Sequence, residues 1–179
     1  MPNNPSELRK RIIEVVSHTG GHLASSLGAV EIALALSKVF DPFKDRIVWD
    51  VGHQAYAWKI LTGRDERFDT LRQLDGISGF PNPSESAADA AIAGHAGVAL
   101  SVAEGFAAAR DRKGTGEHVV AVIGDSAMAN GVSFEALNNC VAATGKVIVI
   151  LNDNDMSISR PAGSFARVLG RLISGVRYN

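Results

Sequence analysis

Three short, mostly apolar runs rich in β-branched residues constrain the fold of this chain more than any other feature. They occupy residues 46–49, 118–123 and 146–151. Consecutive apolar positions suit strands that are buried on both faces, as in a parallel sheet covered by helices. Segments with helical periodicity alternate with the runs. The alternation therefore predicts an α/β fold, a doubly wound and mostly parallel sheet flanked by helices.

Helical periodicity and capping residues indicate where the helices lie. Pro5-Ser6-Glu7 marks a helix start, and the stretch His18-Thr19-Gly20-Gly21-His22 ends that helix. The second predicted helix, over about 26–39, should bury Leu27, Val30, Leu34 and Val39. Further helices are expected over about 54–61, 96–112 and 132–142. Residues 61–89 form a long connection with short helices at most, and such a connection is usually functional or mobile.

Composition and charge argue against several classes of protein. Lys plus Arg number 18 and Asp plus Glu number 19, and this balance does not suggest a surface for nucleic acid or membrane. The apolar runs are far shorter than the roughly 20 residues of a membrane-spanning helix. The charged first 13 residues do not resemble a signal peptide. With one cysteine, Cys140, no internal disulfide can form, and we expect a cytoplasmic protein.

Polar residues follow the predicted strands, at the edge where open α/β sheets bind ligands. Asp50 follows the first strand, Gly124-Asp125-Ser126 the second and Asn152-Asp153-Asn154 the third. Asp125 and Asn154 are 29 positions apart, which accommodates one helix, one turn and one strand. Both side chains should therefore return to one edge. A carboxylate and an amide oxygen suit Mg²⁺, so the pair favours a metal–phosphate site over two ordinary turns.

The Gly-Asp-x and Asn-Asp-Asn pair, with this intervening length, resembles the thiamine-diphosphate fingerprint. Stretches along the whole chain are similar to the 1-deoxy-D-xylulose-5-phosphate synthase family in particular. These stretches are residues 19–28, 49–56, 59–64, 70–73, 79–81, 135–139 and 149–154. The resemblance implies that residues 1–179 are the amino-terminal domain that binds the diphosphate and Mg²⁺. It also implies an incomplete domain in a fragment of a longer polypeptide, without the pyrimidine-binding and carboxy-terminal domains.

The resemblance assigns the metal and diphosphate contacts to five residues. Asp125 and Asn154 would bind Mg²⁺, and the carbonyl oxygen of Met156 would be a further ligand. Ser126 and Ala127 would offer backbone contacts to the diphosphate. The family usually has Gly at the position of Ser126, where glycine permits the closest backbone approach.

The remaining site residues that the resemblance implies are two histidines and a three-residue segment that contains a third. His53 and the segment Gly94-His95-Ala96 would line the cofactor, whereas the family carries hydroxyl residues at and after Ala96. His22 would face the substrate or the reacting thiazolium carbon. His22 and His53 are the catalytic candidates, because an imidazole can pass protons near neutral pH.

The implied activity is a decarboxylative condensation of pyruvate with D-glyceraldehyde 3-phosphate that depends on thiamine diphosphate. This reaction opens the methylerythritol phosphate route to isoprenoids and terpenoids, and it also serves thiamine synthesis. A homodimer is implied for the full-length enzyme, and no turnover is expected from this chain alone. Two alternatives remain, a transketolase-type subunit encoded as two polypeptides and a non-catalytic phosphate- or cofactor-binding module.

Overall fold

A three-stranded parallel sheet forms the centre of the computed structural model, which describes residues 2–153 of the 179-residue chain. The strands are β1 (Arg46–Trp49), β2 (Val119–Gly124) and β3 (Ile148–Asn152), in the order β1-β2-β3. The partners Trp49↔Val122 and Gly124↔Asn152 fix the register near the carboxyl ends of the strands. The predicted parallel α/β sheet is confirmed, and its strands lie within two residues of the predicted runs.

Seven α-helices surround the sheet in the part of the chain that the structure describes. They are α1 (Pro5–Thr19), α2 (Leu23–Gly28), α3 (Val30–Val39), α4 (Tyr56–Lys59), α5 (Ala99–Lys113), α6 (Asp125–Met128) and α7 (Gly131–Ala143). The first helix begins as predicted, since the Asn4 side chain accepts a hydrogen bond from the Glu7 amide at 3.0 Å. It ends at Gly20, whose positive φ of 71° suits glycine. None of the helices in residues 2–153 is long and apolar enough to cross a bilayer.

The helix predicted over residues 26–39 is in fact two helices, because α2 ends and α3 begins around Ala29. The prediction that Val39 is buried was wrong, since 72% of its surface is exposed. Side chains nine positions apart in an α-helix point in directions that differ by about 180°, so Val39 lies on the side of the helix opposite the buried Val30. Leu27 and Leu34 are partly buried against the core.

Alternate residues of β2 contribute to two separate hydrophobic clusters. Val120 and Val122 face the cluster that contains residues of α1, α3 and α4. Val119, Ala121 and Ile123 face the cluster that contains residues of α5 and α7. This alternation is the geometry of a strand, in which successive side chains point to opposite faces. The predicted burial on both faces is therefore confirmed for β1 and β2, whereas Val149 and Leu151 of β3 are each 37% exposed.

The long connection after α4 contains a kinked turn (Ile60–Arg64), with non-helical backbone at Thr62 and Gly63, and a 3₁₀ helix (Asp65–Thr70), as the expectation of short helices allowed. The rest of the connection is held in place by a hydrogen bond from a buried indole and by ion pairs. The Trp58 indole donates to the Ala88 carbonyl at 3.2 Å. Lys59 pairs with Glu85, and Arg64 with Asp89. Specific contacts thus attach the connection to the domain.

Replacing Leu100 with alanine should lower the free energy of unfolding by about 2–5 kcal/mol. Leu100 is fully buried on α5, so truncation removes apolar contacts and leaves a cavity. Leu74→Ala is the matched control, because Leu74 is 94% exposed and its truncation should cost about 0.5 kcal/mol or less. Urea denaturation measures both. Equal effects of the two substitutions would contradict this account of the core.

Candidate functional site

A strained turn connects the end of β1 to the first histidine of the site. The Gly52 amide donates to the Asp50 carbonyl at 2.5 Å, which closes the turn around Val51. Val51 has φ +57°, a conformation that β-branched residues rarely adopt and that costs about 1–3 kcal/mol. Gly52 has φ +78°, and a Cβ there would lie 2.4 Å from Cδ of Pro81. The turn therefore fixes His53 at the carboxyl edge of the sheet.

The carboxylate of Asp50 attaches a second loop to the same edge. Asp50 is buried, and its two oxygens accept hydrogen bonds from the Gly97 amide at 2.9 and 3.0 Å. One of them also accepts from the Ala99 amide at 3.0 Å. These bonds hold the residues that precede α5, so the predicted cofactor segment ends beside β1. Asp50 was expected at this edge from its position after a strand, but the sequence did not predict its bonds to this loop.

His22 and His53, the two predicted catalytic residues, lie together in the structure. Their ring centroids are 5.8 Å apart and the rings are nearly perpendicular, at 82°. Phe80 packs on His22 with a centroid distance of 5.3 Å. The main chain of His53 is held by the Ser26 hydroxyl, which donates to its carbonyl at 3.0 Å. The rings come from different loops, so the pair depends on the packing of the domain.

Gly21 allows Tyr56 to approach the backbone beside His22. Gly21 has φ +145°, and a Cβ on it would lie only 2.6 Å from the Tyr56 hydroxyl oxygen. That oxygen accepts a hydrogen bond from the His22 amide at 3.2 Å and lies 3.5 Å from Nδ1 of His22. Tyr56 itself is fully buried. A rigid phenol thus sets the position of the His22 main chain.

The two imidazoles favour their neutral forms. Burial lowers the pKa of His22, and the positive charge of Arg72 lowers it further. Burial is also the main cause of the lowered pKa of His53, followed by the charge of His22, whereas Asp50 acts weakly in the opposite direction. Nδ1 of His53 is buried and has no hydrogen-bond partner among the residues that the structure describes. A buried ring nitrogen without a partner is a candidate for contact with a ligand.

Asp125 occupies the predicted position at the carboxyl edge of the sheet. It follows Gly124, which pairs with Asn152 of β3, so the ends of β2 and β3 adjoin. Apart from its two chain neighbours, no heavy atom of residues 2–153 lies within 4 Å of the place where a Cβ of Gly124 would stand, so no other described residue covers the backbone there. The Ser126 hydroxyl lies 3.5 Å from Oδ2 of Asp125.

The other two predicted metal ligands, Asn154 and Met156, lie outside the described residues. Within residues 2–153, no group of three or more histidine, cysteine, aspartate or glutamate side chains converges on one point. Asp125 is therefore the described part of the predicted Mg²⁺ site. A carboxylate beside an open backbone fits the donor set that Mg²⁺ and a diphosphate require.

Ser133 connects two predicted cofactor segments, and nothing in the sequence indicated this role. It is fully buried on α7, and its hydroxyl oxygen lies 2.8 Å from the carbonyl oxygen of Ala127. The same hydroxyl lies 3.2 Å from the carbonyl oxygen of Gly97. The loop that contains the exposed residues Gly94, His95 and Ala96 is thereby held beside α6.

Comparisons with known proteins agree with one another. The family model described as 1-deoxy-D-xylulose-5-phosphate synthase matches residues 1–179. A 1-deoxy-D-xylulose-5-phosphate synthase of Verminephrobacter eiseniae is 55% identical over 173 residues, which cover 97% of this chain and 27% of that protein. One of Syntrophotalea carbinolica is 56% identical over 165 residues, which cover 92% and 26%. The chain thus spans about a quarter of the length of these curated relatives.

A solved structure has a similar fold. It is a transketolase variant of Pichia stipitis described as a complex with xylulose 5-phosphate, and it matches with a TM-score of 0.72 at 20% sequence identity. The match covers 93% of this chain and 29% of that one. At this identity, the likeness shows the fold alone.

We predict that His22 and His53 titrate below pH 6.5 in the folded protein. At pH values between the lowered folded pKa and about 6.5, the unfolded chain binds more protons than the folded protein. The free energy of unfolding should therefore fall as the pH drops through this range. NMR titration of the histidine Cε1–H resonances measures both midpoints, with the urea-unfolded chain as the control. Folded midpoints at or above 6.5 would show that the pair is not desolvated.

Proposed function

The chain belongs to the 1-deoxy-D-xylulose-5-phosphate synthase family, and from this premise we propose that it anchors the cofactor of such an enzyme. The complete protein would condense pyruvate with D-glyceraldehyde 3-phosphate and release carbon dioxide. The match of the family model to residues 1–179 is the observation that carries the proposal. The arrangement of loops at the carboxyl edge supports it, because open α/β sheets bind ligands there.

The cofactor in this proposal is thiamine diphosphate with Mg²⁺. Asp125 would hold the metal together with Asn154 and the carbonyl oxygen of Met156, and Ser126 and Ala127 would contact the diphosphate. The adjoining ends of β2 and β3 support this assignment, as does the backbone at Gly124, which no described residue beyond its chain neighbours covers. When bound, thiamine diphosphate supplies the electron sink that decarboxylation of pyruvate requires.

His22 and His53 would handle protons at the reacting centre. Both imidazoles have a lowered pKa, so each can accept a proton at neutral pH. The Tyr56 hydroxyl lies 3.5 Å from Nδ1 of His22, and in this proposal it donates to that nitrogen, which leaves the ring proton on Nε2. His22 would then present an N–H donor to a developing oxyanion. His53, together with Gly94, His95 and Ala96, would line the cofactor.

Further properties of the complete protein are proposed from the family alone. They are a place at the start of the methylerythritol phosphate route to isoprenoids, a role in thiamine synthesis, a cytoplasmic location and a homodimeric state. The 179-residue chain by itself should be inactive. No described residue favours the transketolase-type alternative, since the likeness to transketolase lies in the fold.

Product analysis tests the reaction directly. The complete protein, given pyruvate, D-glyceraldehyde 3-phosphate, thiamine diphosphate and Mg²⁺, should release one carbon dioxide for each 1-deoxy-D-xylulose 5-phosphate formed. Transfer of a two-carbon ketol unit without carbon dioxide would indicate the transketolase-type alternative. If neither reaction is observed and calorimetry detects no binding of thiamine diphosphate, the chain would be part of a non-catalytic module.

Substituting Asp125 with alanine in the complete protein should weaken Mg²⁺-dependent binding of thiamine diphosphate by about 100-fold, on the order of 3 kcal/mol. The fold should persist, because Asp125 is partly exposed at the start of α6, directly after β2. Calorimetry measures the affinity, and circular dichroism checks the fold. Glu135→Ala, which removes an exposed carboxylate from α7, is the control and should bind like the parent. Binding by Asp125→Ala as tight as that of the parent would disprove the assignment.

A further inference from the structure

Three buried charged side chains and one that is 15% exposed lie together at the end of α4 and in the long connection, outside the candidate site. We call Lys59, Arg64, Glu85 and Asp89 the charge network. Nζ of Lys59 lies 2.6 Å from Oε2 of Glu85, and Arg64 binds both carboxylate oxygens of Asp89, at 2.5 and 2.9 Å. The Lys59 and Asp89 side chains are 0% exposed. Two cations balance two anions, as buried charges require.

The two carboxylates of the charge network also bind the backbone of a nearby segment. Oε1 of Glu85 accepts a hydrogen bond from the Ser78 amide at 2.6 Å. Oδ2 of Asp89 accepts one from the Asn82 amide at 2.8 Å. These amides bracket Phe80, with one residue between it and each bonded position. Both ends of a five-residue segment are therefore fixed by charge-assisted hydrogen bonds, which are stronger than neutral ones.

The middle of this segment forms a wall of the candidate site. The Phe80 ring packs on the His22 ring at 5.3 Å. The next residue, Pro81, packs so closely on Gly52 that a Cβ at Gly52 would lie 2.4 Å from Cδ of Pro81. Gly52 directly precedes His53. The segment thus contacts both sides of the histidine pair, through Phe80 on His22 and through Pro81 beside His53.

We propose that the charge network is a positioning device that holds Phe80 against His22. Its residues act through the wall of the site and do not themselves touch a substrate. The proposal depends on the proposed function only for the identity of the reaction that takes place beside Phe80. The geometry of the wall itself is independent of that reaction.

The alternative is that the charge network only stabilises the connection. Removing one charge would leave its partner buried and unpaired, and the resulting loss of stability would not separate the two roles. The double substitution Lys59→Met/Glu85→Leu avoids this, because it removes one cation and one anion together. It also removes the acceptor of the Ser78 amide. Glu85→Met, which keeps most of the side-chain volume and removes the acceptor of the Ser78 amide, is the second variant, and in it Lys59 retains Asp89 at 3.9 Å as a counterion.

A double-mutant cycle on the complete protein distinguishes the two roles. Lys59→Met/Glu85→Leu, Phe80→Leu and their combination are compared, with histidines labelled with ¹³C at Cε1. If the network acts through Phe80, each variant should shift the His22 resonance and raise its titration midpoint toward 6.5. The combined variant should then show little further change in either quantity.

The kcat of the synthase reaction should fall about tenfold or more in these variants, with a smaller change in KM. Asp69→Asn, in the exposed pair of Asp69 with Arg11, is the control and should change neither property.

Each outcome bears on the proposal. An unshifted His22 resonance in a folded network variant, or effects that simply add to those of Phe80→Leu, would overturn it. If Lys59→Met/Glu85→Leu does not fold, Glu85→Met decides the question by the same NMR criterion. A shifted His22 in a complete protein whose parent lacks synthase activity would refute the proposed function and leave the positioning role intact.

Discussion

The buried carboxylate of Asp50 is the interaction on which the rest of the site depends. It lies at the end of β1 and accepts hydrogen bonds from the Gly97 and Ala99 amides. One side chain therefore holds the start of α5 and the loop before it at the carboxyl edge of the sheet. The charge of the carboxylate strengthens these bonds, and burial keeps water from competing for them. Without this anchor, the loop of residues 94–97 would lose its direct hydrogen bonds to the end of β1.

Buried polar contacts, and not regular secondary structure, define the loops at this edge. The Ser133 hydroxyl lies between the carbonyls of Gly97 and Ala127. The strained turn at Val51 carries His53 toward His22. Such strain persists only where the surrounding structure enforces it, and it often accompanies function. The domain thus provides a rigid edge for a ligand.

Sequence patterns predicted the sheet well, because strands buried on both faces require runs of apolar residues at 46–49 and 118–123. They failed for Val39, since helical periodicity does not reveal which of several apolar stripes faces the core. Asp50 was placed correctly at a strand end, but its bonding partners lie 47 and 49 positions away. The charge network and Ser133 escaped prediction for the same reason, because contacts between distant residues leave no local pattern.

The central claim is that the carboxyl edge of this sheet binds a metal–diphosphate group through Asp125. The most direct test is a crystal structure of the complete protein with thiamine diphosphate and Mn²⁺ in place of Mg²⁺, with the metal located by anomalous scattering. The account predicts a single strong peak within about 2.0–2.5 Å of an Asp125 carboxylate oxygen. A peak bound by other residues, with Asp125 free of the metal, would contradict it.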